Sequence, residues 1–148
     1  MDKKWIRGFS LLELLIVVAI ILIIVTIAIP SVVRARQAAQ EASAVATIKA
    51  IHAAEMIYMS SNRGRFGTFE NLTASGELDE RFAADGGTPT LGGYTYSIVL
   101  SGNNDSEYYV QADPASTTAG RYDYYSSLDG VVRYRTNLGG RDAGAPVQ

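Results

Sequence analysis

The sequence predicts an α+β fold: a long N-terminal helix, membrane-spanning in its first half, packed on a small antiparallel β-sheet of three to four strands. Three observations predict it. Apolar residues crowd into one block between positions 9 and 29. An alanine-rich stretch follows, in which Ala44, Ile48, Ile51, Ala54 and Tyr58 recur at spacings of three and four. Beyond it the chain is rich in Gly, Tyr, Ser, Thr and Asp, and short β-branched or aromatic runs alternate with turn clusters.

The 148 residues suffice for one small domain plus an extra element. No cysteine is present, which excludes disulfides, cysteine-based metal sites and thiol nucleophiles. The formal charge of −2, without any cluster of five basic residues, argues against a general nucleic-acid binder, and no specific nucleic-acid partner is evident.

The N-terminal block is read first. Lys3, Lys4 and Arg7 precede it against a single acid, Asp2. As a helix, residues 9–29 rise about 30 Å, the thickness of a hydrocarbon core. Only a segment that satisfies its own backbone sits there, so helix is the physical choice. The basic leader fixes orientation, since positive flanks stay cytoplasmic and the rest of the chain then lies outside. A secretory signal peptide has a shorter apolar region followed by a small-residue cleavage site, and no such A-x-A-like site follows here. A plain anchor places Glu13, near the start of the run, at the membrane edge where it reaches water; the other reading gives it a functional role. An acid at membrane depth costs about 2.5–3.5 kcal/mol at the helix centre, less near the interface, and asks for a partner.

The run Gly8-Phe9-Ser10-Leu11-Leu12-Glu13-Leu14-Leu15-Ile16-Val17-Val18-Ala19 resembles the class III signal sequence of type IV prepilins and pseudopilins. The resemblance covers residues 1–30. It implies cytoplasmic-side cleavage after Gly8 by a prepilin peptidase and N-methylation of the new first residue, Phe9. It makes Glu13 the acid that directs assembly and Pro30 the helix-kinking proline. It divides the chain into a leader (1–8), a transmembrane and filament-core helix (9–30), an amphipathic continuation (31–62) and a globular head (63–148) with a connecting loop, the sheet and a flexible tail. The partners it implies are further copies of the chain, the peptidase, an inner-membrane assembly platform with other pilins, and the lipid bilayer before assembly. No cofactor is called for. Physically, the Phe9 α-amine and the Glu13 carboxylate can neutralise each other in a filament core, where an unpaired charge is expensive.

Residues 31–61 read as continuing helix. The 44/48/51/54/58 stripe lines one face and packs on the sheet. Lys49, His52 and Glu55 are placed on another face, toward solvent or a neighbouring subunit. Pro30 removes a backbone donor and kinks or loosens the helix. The helix ends at residues 62–64, where Gly64 suits a left-handed cap. His52, the only histidine, has no second histidine or cysteine to make a metal site.

Residues 65–91 read as a connecting loop with short helical pieces at 68–72, where Thr68 is the N-cap, and at 79–83. Residues 85–89 are turn-rich and end that structure. Strand candidates follow at 94–100, 107–112, 122–126 and 131–135, joined as an antiparallel meander. The tail from 138 to 148 reads as loose. Most tyrosines fall in strands, where packing explains them better than electron transport. Asn103, Asn104, Asp105 and Glu107 lack the full spacing of a calcium loop and read as a solvated hairpin turn. No Ser/His/Asp set, carboxylate pair or phosphate loop can be assembled, so an enzyme is not expected.

The leading functional expectation is a structural subunit of a type IV pilus supporting adhesion, twitching motility or DNA uptake. The alternative is a pseudopilin of a type II secretion system, and a third reading is a signal-anchored exported protein that never polymerises.

Overall fold

A computed structural model describes residues 9–136 and 145–146. The chain divides into two units, Met1–Ala35 and Arg36–Gln148. One helix, α1 (Leu11–Ser61), supplies all the regular structure described in the first unit and opens the second.

In the second unit α1 buries Ala44, Ile48, Ile51 and Ala54 of the predicted stripe, while its last member, Tyr58, is half-buried. Ile48 and Ile51 are wholly buried, and each contributes roughly 1.5–3 kcal/mol by leaving water. Two acids share the stripe, Glu41 and Glu55. The placement of Glu55 on a face turned to solvent or a neighbour is therefore wrong: Lys49 is exposed and His52 half-buried, but Glu55 has no exposed surface. The reason lies in the chain that leaves α1. It turns through Arg63 and Gly64, both with left-handed φ (58° and 79°), and folds back over the helix. The Gly67 N–H then donates to Glu55 Oε2 at 3.0 Å.

Thr68 caps α2 (Phe69–Ala74) as expected. Its hydroxyl accepts from the Asn71 N–H and its own N–H donates to the Asn71 side chain. A 3₁₀ helix (Glu80–Gly87), capped by Asp79, follows. It runs on through Asp85-Gly86-Gly87, past the point where the turn-rich composition predicts its end.

The sheet runs in the order β1 (Thr90–Leu91), β2 (Tyr94–Ser101), β3 (Glu107–Pro114), β4 (Asp123–Ser127), β5 (Arg133–Arg135) and β6 (Ala145–Pro146), every pair antiparallel. The meander is as predicted, with two additional two-residue edge strands. β1 arises because Gly92-Gly93, with φ of 59° and 85°, makes a two-residue hairpin that sets Leu91 opposite Tyr94. β6 comes from the predicted loose tail: Ala145 and Pro146 pair with Tyr134 and Arg133, while residues 138–144 and 147–148 of that tail lie outside the described residues.

Alternation sends Tyr94, Tyr96, Tyr108, Val110, Ala112 and Tyr124 into one core with the α1 stripe, Phe66, Phe69, Phe82 and Val132. The small Ala112 pairs with Tyr96 on one side and Tyr124 on the other, which makes room for two large rings on adjacent strands. The loop before β4 is tied to the helix by Glu41, whose Oε1 accepts from the Arg121 N–H and Nε and whose Oε2 accepts from Nη2. Burial pushes the Glu41 carboxyl up, but the bonds and charge of Arg121 outweigh it and leave it below its ordinary value.

Candidate functional site

The first unit presents apolar surface almost without interruption. Every Leu, Ile and Val side chain from Leu11 to Val33 is exposed, as is Phe9. That stretch of α1 rises about 34 Å, enough to cross a hydrocarbon core. It is the one helix among the described residues long and apolar enough to do so. A contiguous apolar surface of this size needs lipid or other protein around it.

Within it, Glu13 is the only charged side chain between Leu11 and Val33. It lies in the first turn of α1 and is exposed. Its N–H and that of Leu14 both donate to the Ser10 carbonyl, at 3.1 and 3.2 Å, so the helix begins just after Phe9. Phe9 and Glu13 thus lie four residues apart at one end of α1. Gly8, with Lys3, Lys4 and Arg7, lies outside the described residues. An acid in the first turn lies at the positive end of the helix dipole.

Pro30 sits inside α1, some 25 Å along the axis from Glu13. Having no N–H, it leaves the Thr26 carbonyl without its usual intrahelical donor. The Thr26 hydroxyl donates to the Leu22 carbonyl at 2.8 Å, which satisfies that polar group within the helix. Pro30 is therefore brought together with Thr26 and Leu22, and not with Phe9 and Glu13.

The remaining candidates fall in the second unit. His52 bonds through Nδ1 to the Tyr108 hydroxyl at the helix–sheet interface. Residues 103–105 and Glu107 are exposed in and beside the β2–β3 turn, where the Asp105 carbonyl accepts from the Phe66 N–H at 3.0 Å. Among the described residues no group of three His, Cys, Asp or Glu side chains is placed to hold a metal ion. Residue type gives no sign that Glu41 and Glu55 are buried, yet 41, 44, 48, 51, 55 and 58 keep an unbroken alternation of three and four, and that spacing is the signal for both.

A single long helix, apolar in its first half with a lone acid in its first turn, and a small antiparallel head on its second half suit a membrane-anchored precursor. Residues 6–29 match the family model described as the prokaryotic N-terminal methylation motif, so the chain carries the signature of the type IV pilin family. The matched residues are 24 of the 148, so the likeness is to the N-terminal segment of type IV pilin-like and pseudopilin precursors. No curated protein and no solved structure matches the chain.

Proposed function

We propose that the chain is a structural subunit of a type IV pilus-like filament, processed at its N-terminus and assembled through the first half of α1. One observation carries the reading: an acid alone in an exposed apolar helix, inside the match to the N-terminal methylation motif. In this reading the peptidase cuts after Gly8 and methylates Phe9. Before cleavage the basic leader holds the N-terminus on the cytoplasmic side and the head lies outside. Its removal takes away three basic residues and one acid, leaving 10 basic and 14 acidic side chains, a formal −4 before termini.

The membrane pool feeds an assembly platform, and copies leave lipid for a filament in which apolar helices cover one another. The Glu13 carboxylate neutralises the Phe9 α-amine, within one subunit or between two. A mismatched register buries an unpaired charge, which costs about 3–5 kcal/mol. Pro30 is the place where α1 loosens as copies pack. The filament then serves adhesion, twitching motility or DNA uptake.

The leader is shared with pseudopilins of type II secretion systems, so the deciding experiment looks at the fibres. Shearing intact cells and identifying the fibre protein by mass spectrometry is expected to recover this chain from long surface filaments. Recovery only from the membrane and periplasm, with no surface fibre, contradicts the pilus reading in favour of the secretion one.

A further inference from the structure

The α1–α2 loop is held by a group that no filament role requires. Glu55 has no exposed surface. Its Oε2 accepts from the Gly67 N–H, while its Oε1 has no hydrogen-bond partner among the described residues. None of the ion pairs at Arg81, Arg121 and Arg133 involves it. Gly67 is pressed so closely that a Cβ there would lie 3.0 Å from the Tyr58 ring and 3.1 Å from Asn71 Cβ. Phe66, beside it, packs its ring at a tilt against Tyr108, with centroids 4.7 Å apart, and donates its N–H to the Asp105 carbonyl in the β2–β3 turn. One carboxyl thus fastens a segment that joins α1, α2, β3 and a hairpin turn. That segment leaves the helix through the left-handed pair Arg63-Gly64.

We propose that Glu55 is a proton-operated latch, holding the loop of residues 62–68 on α1 while its carboxyl is protonated and loosening it on ionisation. A neutral carboxyl keeps its acceptor oxygen for Gly67 and tolerates an apolar site. An ionised one carries a charge with a single hydrogen bond, and its remedy is to reach water, which requires the loop to lift. The proposal is independent of the filament reading.

The groups around the latch are few. His52 lies one turn earlier on α1, bonded to Tyr108 of β3. Burial, then the charges of Glu55 and Asp129, push the Tyr108 hydroxyl up, so it stays neutral across the relevant range. Asp129, in the β4–β5 turn, is bonded to Arg133. Arg63 and Arg65 in the loop, and Asp105 and Glu107 at the β2–β3 turn, are exposed.

Burial raises the Glu55 carboxyl to about 7, against the opposing Gly67 bond. A carboxyl raised in the folded state favours that state fully below its ordinary value of 4.5, and the contribution is lost as pH climbs through about 7. Between roughly pH 6 and 8.5 this gives about a tenfold rise in loop opening.

Amide hydrogen exchange on the full chain in detergent micelles reads this at Phe66 and Gly67, after correction for the chemical exchange rate. Protection is expected to fall about tenfold over that interval in the wild type. It should become independent of pH in Glu55→Gln, which keeps an acceptor for Gly67, and fall as in the wild type in His52→Gln. Wild-type protection that is flat or rises with pH overturns the proposal. So does a fall that persists in Glu55→Gln or vanishes in His52→Gln. Should Glu55→Gln fail to fold, the carboxyl carbon shift of Glu55 in the wild type decides: a midpoint near 7 supports the latch, and one near 4.5 refutes it.

Discussion

Replacing Glu13 with valine is expected to leave the precursor inserted and its head folded while lowering the yield of sheared fibres by at least tenfold. Two effects act in the same direction. Removing an acid from the apolar helix makes the membrane-held state more favourable, by up to about 2.5–3.5 kcal/mol at full depth and less at the interface. In the filament core the same change strands the α-amine without its carboxylate, at a cost of about 3–5 kcal/mol. The second term alone exceeds the roughly 1.4 kcal/mol that makes a tenfold change in an equilibrium, and the first adds to it. The check is the ratio of sheared-fibre to membrane-pool subunit by immunoblot, with circular dichroism of the detergent-extracted chain confirming the head. Glu13→Gln is expected to fall between valine and wild type, because it removes the charge and keeps a hydrogen-bonding group. Fibre yields equal to wild type in the valine variant would detach Glu13 from assembly.

The second large effect is in the head. A Cβ at Gly120 would stand 2.6 Å from Tyr94 Cζ and closer still to its hydroxyl oxygen. Tyr94 cannot move aside cheaply: its ring has no exposed surface, it packs against Tyr124 at 5.9 Å, and its hydroxyl donates to the Tyr122 carbonyl at 3.1 Å. Gly120→Ala is therefore expected to destabilise the head by about 2–4 kcal/mol, through overpacking plus the lost hydrogen bond. For a unit of this size that lowers the melting temperature on the order of 10 °C, read by near-ultraviolet circular dichroism. Tyr94→Phe removes the atom nearest the new methyl, so the double variant should melt above the sum of the two single effects. Strict additivity would show that the loop around Gly120 simply yields.

The long helix and the meander were legible because their signals are long or repeated. An apolar run of membrane length has few other meanings, and four alternating aromatic and β-branched runs between turn clusters leave little but a sheet. The N-terminal methylation motif, matched over residues 6–29, was legible for a different reason, since order and spacing in a short leader carry it. Glu55 was misplaced because charged residues on a helix are normally solvated. Its position fits the 41/44/48/51/55/58 alternation, but the Gly67 N–H that makes burial tolerable comes from a loop no periodicity describes. Arg121 was missed likewise, being 80 residues from the Glu41 it binds. The β1 strand was missed because two paired residues carry no period, although the Gly92-Gly93 hairpin signal stood beside them.

The central claim is that the N-terminal segment is a processed assembly signal, and the mass of the mature chain's N-terminal peptide tests it most directly. Protein extracted from membranes or fibres is digested and its first peptide sequenced by tandem mass spectrometry. The account predicts a chain that begins at Phe9, heavier by one methyl group on the α-amine. A chain that still carries residues 1–8, or one cut beyond the apolar run, would contradict it.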